Sequence, residues 1–369
     1  MEGMRIEYGT GNPGKKALWQ GAALLGGAAL LSKLVGTLQK IPLQNLAGDE
    51  AFGLYSAVYA LAVMWMTLAS AGIPVAVSAL VAERTACGDE AGARRVRRWA
   101  LGLLVASGLA MFAILWVGAE TFADWMGQPS AASAIRMSSI ALLFAPAAAV
   151  LRGDSQGRMR MLGPAASQLG DQIARVAFML AALLVAVDAG WSPSATAAAV
   201  HGGLAAGAVA GLATMLAFAA RERKAEFILV RSAGAKPGFG ASGETAVGPT
   251  TPTTPATASG RRVFLPESRS ALLGKIAKVA VPIAIASIVA PLIGLIDAFS
   301  IPRLLRADDA AAGWAIAQFG VYNRGVALLQ LVVMGAAGAA SALVPALTGD
   351  RARGDDAAFA ARAVFASRL

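Results

Sequence analysis

Lys33, Lys40, Asp171, Arg175, Asp297 and Arg324, with Asn323 beside the last, sit inside long apolar runs of this sequence. An ionisable side chain in such a run is costly and is retained where it faces a cavity or a partner. The chemistry open to these residues is therefore charge pairing and ligand binding. Lys33 and Lys40 are seven residues apart, which puts them on one helix face about 10 Å apart along the axis. Asp171 and Arg175 have i,i+4 spacing and are assigned as a structural intramembrane pair on one helix. Asp297 and Arg324 lie in different runs, and either pair across two helices or face a common cavity. Lys40, near the end of its run, can also snorkel to water, and Lys33 can do so only by reaching farther. Catalytic and metal chemistry has few residues to use. One cysteine, Cys87, allows no Cys-built metal site or intrachain disulfide, and the single histidine, His201, argues against a His-based metal centre or a catalytic triad. His201 is expected to be a packed polar residue. No cofactor, metal or enzymatic activity is expected.

The elements that position these residues follow from composition. The chain is 57% hydrophobic and 15% charged, with mean hydropathy +0.60. Soluble domains are about 45–50% apolar and about 25% charged, so the chain is expected to be an all-α integral membrane protein. Eight stretches reach the roughly 20 apolar residues that a bilayer requires. They are Ala17–Leu46, Gly53–Ala82, Trp99–Val117, Ala132–Leu151, Ala165–Val187, Ser194–Ala220, Leu272–Ile301 and Ala317–Leu347. A ninth begins near Ala357. No cleavage site precedes the first run, so it is a span and not a secretory signal. The net charge of +10 does not point to nucleic acid, because the basic residues cluster between spans. Lys15 and Lys16, Arg84 with Arg94–Arg98, Arg152 with Arg158 and Arg160, and Arg351 with Arg353 mark one side. Asp49 and Glu50, Glu120 and Asp124, and Asp188 mark the other. Because cytoplasmic loops accumulate Lys and Arg, this pattern places the N-terminus (residues 1–16) inside, in the cytoplasmic membrane.

Residues 221–271 differ in composition: basic ends flank a Gly/Thr/Pro/Ala tract, read as a flexible cytoplasmic linker. Its Gly238-Phe-Gly240-Ala-Ser-Gly243 matches a dinucleotide fingerprint formally, but no strand precedes it and no helix follows. The linker separates two related stretches. Ala86-Cys-Gly88-Asp89-Glu90-Ala91 follows Gly72 at the spacing with which Ala352-Arg-Gly354-Asp355-Asp356-Ala357 follows Gly338. Gly53-Leu-Tyr55 matches Gly320-Val-Tyr322, one residue out of register with that pair. Leu34-Val-Gly36 and Ile41-Pro42 match Leu292-Ile-Gly294 and Ile301-Pro302. The common order predicts a duplication: a six-helix lobe over 17–220 and the start of a second over 272–369. Six helices return the chain to its starting side, so the copies are parallel, an architecture in which substrate binds between lobes. The second lobe stops after about two helices, which predicts either a fragment or a truncated gene product. Gly203, Gly207 and Gly211 give their helix a small-residue packing face. Pro74, Pro146, Pro282 and Pro291 are expected to bend theirs.

Six short segments in this order resemble the polysaccharide-biosynthesis and stage V sporulation protein B group of the multidrug/oligosaccharidyl-lipid/polysaccharide exporter superfamily. They are Ser32-Lys-Leu-Val-Gly36; Gly72-Ile-Pro-Val-Ala-Val-Ser78 with Leu80-Val-Ala-Glu83; Leu151-Arg-Gly153 with Gln156-Gly157; Ser167-Gln168 with Asp171-Gln172 and Arg175; Leu295-Ile-Asp297 with Ile301-Pro-Arg303-Leu-Leu305; and Tyr322-Asn-Arg-Gly325 with Leu329-Gln-Leu331. The resemblance implies a two-lobe exporter fold of twelve or more helices and flipping of polyprenyl-linked saccharides, used for cell wall, polysaccharide or spore cortex. It also implies a central cavity lined by basic residues. On this resemblance Lys33, Lys40, Asp297, Asn323 and Arg324 become candidate substrate-binding residues, the cations suiting a diphosphate or acidic sugar. Expected partners are a lipid-linked oligosaccharide, membrane lipids and a coupling ion, Na⁺ or H⁺. No Walker motif is present. The alternatives are a cation-coupled multidrug antiporter of the same superfamily and a truncated, non-transporting remnant. The mainly basic cavity candidates favour an anionic headgroup over a cationic drug.

Overall fold

A computed structural model describes residues 15–70, 72–234, 269–306 and 312–330, and every regular element among them is helical. In chain order these are α1 (Lys15–Leu38), α2 (Lys40–Ser70), α3 (Ile73–Ala86), α4 (Glu90–Val117), α5 (Ala119–Trp125), α6 (Ala132–Ser139), α7 (Ala145–Gly157), α8 (Leu162–Asp188), α9 (Pro193–Gly234), α10 (Arg269–Leu305) and α11 (312–330). Short 3₁₀ turns at Pro129–Ala131 and Ile140–Leu143 lead into α6 and α7. Among the described residues six helical stretches are long and apolar enough to cross a membrane. The first, Ala23–Ala86, has 64 residues and covers the second expected span and most of the first. The chain is a multi-pass α-helical membrane protein. The eighth expected span is described only as far as Gln330, and the ninth, with the glycine-rich motif 238–243, lies outside the described residues.

Local sequence explains where the spans break. Gly48 has φ +78° and bends α2 just before Asp49; Gly72 has φ +69° and separates α2 from α3. Both angles lie in the left-handed region, which glycine enters without a Cβ penalty. Pro74 then occupies the first turn of α3, and Pro146 the first turn of α7, where proline's missing N–H has no intrahelical partner to lose. The fourth expected span is consequently α6, a 3₁₀ turn and α7, not one helix. By contrast α10 continues through Pro282, Pro291 and Pro302. Helix α9 runs on to Gly234, so residues 221–234, placed in the linker from their composition, are helical. Their Glu, Lys, Phe, Ile and Leu residues suit a helix once the membrane segment has nucleated it.

Lipid supplies no hydrophobic drive between helices, so close approach depends on small residues. Added Cβ atoms at Gly153 and Gly157 would lie 2.5 Å from the carbonyl oxygens of Pro74 and Ser78, which brings α7 onto α3. Helices α8 and α9 form the most extensive pair, and α1 packs mainly on α8. A core around Leu54, Leu61, Leu115, Met126, Ile135 and Phe319 joins α2, α4, α5, α6 and α11. A second core around Val77, Val96, Leu104, Leu272 and Ile276 seats the start of α10 on α3 and α4.

Charge pairs tie the loops at one end of this bundle. Asp89 caps α4 by accepting from the Gly92 amide at 2.7 Å and pairs with Arg84 at 3.0 Å. Asp154 accepts from Arg97 at 3.1 Å and from Arg158 at 3.3 Å, while Arg158 also reaches Glu90 at 2.8 Å. Arg160 meets Glu222 of α9 at 2.7 Å. The α3–α4 connection, α7 and α9 are thereby held together at the Asp89 end.

Candidate functional site

The opposite end contains the junction of α2, α10 and α11. Asp49, placed just past the Gly48 bend, forms an ion pair with Arg324 of α11. Two residues before Arg324, and on the other side of α11, Tyr322 donates its hydroxyl proton to Asp297 of α10 at 3.0 Å. Asn323 donates to the carbonyl of Phe319, one turn back on its own helix, at 2.9 Å. Asp297 and Arg324 therefore have separate partners and do not pair with each other. The sequence reading missed Asp49 and Tyr322, because an acid at a span boundary looks like ordinary loop charge. Asp49 lies four residues before Gly53, and Tyr322–Arg324 follow Gly320.

Those glycines meet. A Cβ on Gly53 would collide with the Ile316 carbonyl oxygen and lie 3.2 Å from the Gly320 amide nitrogen. A Cβ on Gly320 would collide with the Asp49 carbonyl oxygen and lie 3.1 Å from the Gly53 amide nitrogen. Each glycine thus faces the other's nitrogen and the carbonyl four residues before it, a reciprocal crossing of α2 and α11. Further contacts between the two parts of the chain surround it: Arg303 donates to the Trp125 carbonyl at 3.1 Å and Arg306 to that of Gly127 at 3.1 Å.

The two lysines are placed differently. Lys40 is half-buried, with its Nζ 5.9 Å from the centroid of the Tyr59 ring, the geometry of a cation–π contact. Lys33 is exposed on α1, and its carbonyl accepts from Thr37 at 3.0 Å. The structure places two separate pairs, Asp49–Arg324 and Asp297–Tyr322, at the junction of α2, α10 and α11, and leaves Lys33 and Lys40 on α1 and the start of α2.

Inside the first lobe, Arg175 donates to Asp171 at 2.8 Å, the pairing expected from their spacing. A third member was not foreseen. Arg152 of α7 reaches the other Asp171 oxygen at 3.3 Å, and its Nε donates to Ser167 at 2.9 Å. Ser167 in turn donates to the Gly211 carbonyl at 2.6 Å. The glycine face of α9 makes room for this cluster: added Cβ atoms at Gly207 and Gly211 would lie 2.5 Å from Asp171 Oδ1 and 2.6 Å from Arg152 Nη2. His201 is fully buried; its Nδ1 lies 2.8 Å from the Ala197 carbonyl and its ring 4.8 Å from that of Tyr55. It is a packed histidine, as its apolar surroundings suggested.

A helical bundle with intramembrane charges is common to many transporters and does not select among them. The model of one family, described as polysaccharide biosynthesis protein, matches residues 18–235, from within α1 to just past the end of α9. The chain belongs to the polysaccharide biosynthesis protein family. Among curated proteins of Bacillus subtilis (strain 168), the uncharacterized membrane protein YabM is 29% identical over 328 residues, covering 89% of this chain and 55% of YabM. The lipid II flippase MurJ is 29% identical over 175 residues, covering 45% of this chain and 32% of MurJ. Stage V sporulation protein B is 25% identical over 167 residues, with the same two shares. The chain thus spans about half the length of YabM and about a third of the other two. No solved structure matches. The family match ends beside the end of α9, so it coincides with the helices that enclose the Arg152–Asp171–Arg175 cluster.

Proposed function

We propose that this chain forms part of a flippase that moves a polyprenyl-linked saccharide across the cytoplasmic membrane by alternating access. The observation that carries the reading is the crossing of α2 and α11 at Gly53 and Gly320, closed over by the Asp49–Arg324 pair. A carrier of this kind must open and close a contact between two bodies, and this contact is suited to it. Both side chains of the pair are 37% exposed, and an ion pair so exposed contributes about 0–1 kcal/mol. The glycine crossing offers close fit without interlocking side chains. Family membership and the names of MurJ and stage V sporulation protein B support the substrate class.

In this reading residues 17–220 form the first lobe, 221–271 connect it to the second, and α10 and α11 begin the second. With the N-terminus cytoplasmic, the Asp49 end faces outward and the contact is an external gate in its closed state. Lys33 and Lys40 engage the diphosphate or acidic sugar from the cytoplasmic side. Asp297, Asn323 and Arg324 meet the headgroup between the lobes once Arg324 leaves Asp49, and a Na⁺ or H⁺ gradient couples the movement. The lipid tail stays in the bilayer while the headgroup passes between the lobes.

The test is translocation of a fluorescent polyprenyl-diphosphate saccharide in proteoliposomes containing the full 369-residue chain. Transport that falls at least tenfold in Lys33→Ala/Lys40→Ala/Arg324→Ala supports the reading. Unchanged transport in that triple variant removes the proposed site, and absence of transport by the chain itself removes autonomous flipping. Export of cationic dyes with no lipid movement would instead identify a multidrug antiporter.

A further inference from the structure

Helix α4 carries four arginines in its first turns, Arg94, Arg95, Arg97 and Arg98, directly ahead of its apolar part. That part, Trp99–Val117, is about 28 Å long, which matches the roughly 30 Å core of a bilayer. The arginines therefore stand in the headgroup layer: Arg98 lies about 2 Å beyond Trp99 along the helix axis and Arg94 about 8 Å. Trp99 itself is half-buried at the boundary, the level at which tryptophan gathers.

The four do not face the same way. Arg97 turns toward α7 and meets Asp154 at 3.1 Å. Arg94 and Arg98, one turn apart, are both exposed, away from the buried face of Ala93, Val96, Ala100 and Leu104. Their face continues through Gly102, Val105 and Leu109, all exposed. Two cations thus head an apolar stripe that is open to lipid. Positive charge at one end is common to membrane proteins, but at this end Arg84, Arg97, Arg158 and Arg160 are each matched by an acid. Asp89, Asp154, Glu90 and Glu222 are taken up in these pairs. Among the described residues Arg94 and Arg98 have no acidic partner, and the exposed Glu83 of α3 pairs with neither.

We propose that Arg94 and Arg98 bind the headgroup of an anionic glycerophospholipid whose acyl chains lie along Gly102, Val105 and Leu109. The guanidinium fork suits the phosphate oxygens, and two forks one turn apart hold the headgroup from both sides. A zwitterionic lipid brings its own cation to the same place, which cancels most of the attraction. One arginine near an anionic membrane surface is worth about fivefold in affinity, so the pair selects an anionic lipid over a zwitterionic one by about tenfold or more. Lipid selection at α4 is independent of the transport reading, since it is measurable on protein that moves nothing.

The experiment places a fluorophore on Gly102→Cys in a Cys87→Ser background; an added Cβ at Gly102 meets nothing within 4 Å, so the label points into lipid. The full chain is reconstituted in mixtures of phosphatidylglycerol and phosphatidylcholine, with bromine on the acyl chains of one lipid at a time. Quenching by each brominated lipid gives their relative occupancy beside the label. The expected result is a preference of about tenfold for phosphatidylglycerol at low salt, falling toward one in about 1 M NaCl, where the screening length is roughly 3 Å. Arg94→Gln/Arg98→Gln should bring the preference to about one. Arg221→Gln/Lys224→Gln, which removes the same charge from exposed positions on α9, should leave it in place. Equal quenching by the two lipids in the unsubstituted chain overturns the proposal, as does a preference that persists in high salt. Equal loss in the α4 and α9 variants overturns it too, because the effect would then belong to overall charge and not to a site.

Discussion

Gly53 of α2 and Gly320 of α11 stand back to back, each occupying the space in which a Cβ of the other helix would meet main chain. They are 267 positions apart in the sequence, and each begins a Gly-x-Tyr segment, Gly53-Leu-Tyr55 and Gly320-Val-Tyr322.

Enlarging either glycine should push the helices apart. Overpacking a close contact costs about 1–3 kcal/mol, equivalent to about 5- to 150-fold in a two-state equilibrium. Gly53→Val and Gly320→Val are each expected to reduce oxidative cross-linking between Asp49→Cys and Arg324→Cys by that factor. The cross-link is measured in a Cys87→Ser background, which removes the native thiol.

The Asp49–Arg324 pair should contribute orientation more than stability. Asp49→Asn and Arg324→Gln are each expected to lower the unfolding free energy by about 1 kcal/mol or less, because solvent screens the pair. A double-mutant cycle should give a coupling of similar size, and exchange of the two charges should restore much of the lost stability. A coupling of several kcal/mol would mean that the pair is desolvated in the membrane.

Removing the carboxylate from the buried cluster should be far more damaging. Asp171→Asn leaves Arg152 and Arg175 facing each other without an acid, and breaking a buried ionic group in this way costs about 3–5 kcal/mol. A large fall in Tm in detergent is the expected readout. Gly207→Leu should destabilise by a separate route, because its side chain would enter the volume of Asp171.

At the other end of the bundle Asp89 serves both as the cap of α4 and as the acceptor from Arg84. Asp89→Ala should cost about 1 kcal/mol, the usual value of a lost cap. Asp89→Asn keeps an oxygen for the Gly92 amide and should recover most of that loss. Amide hydrogen exchange at Gly92, faster in the alanine variant than in the asparagine variant, measures the difference.

Much of the fold was legible in the chain. Apolar run length against bilayer thickness gives membrane-spanning helices in any sequence of this composition, and i,i+4 spacing gives Asp171–Arg175 because both residues ride on one helix. Where local rules were incomplete, the cause is identifiable. The fourth span breaks because Pro146 can begin a helix more easily than continue one, and α9 outruns the apolar stretch because a helix, once started, extends at little cost.

Partners across the bundle had no such local signature. Arg324 meets Asp49 and not Asp297, Tyr322 takes Asp297, and Arg152 joins a pair from which it is separated by a turn. The sequence by itself determined which residues carry charge into the membrane and which helix face holds them, since both follow from composition and helical period. Only the tertiary structure decided their partners. Helix crossings are set by where small residues allow backbones to approach, and a side chain's neighbour on another helix depends on those crossings and not on any spacing along the chain.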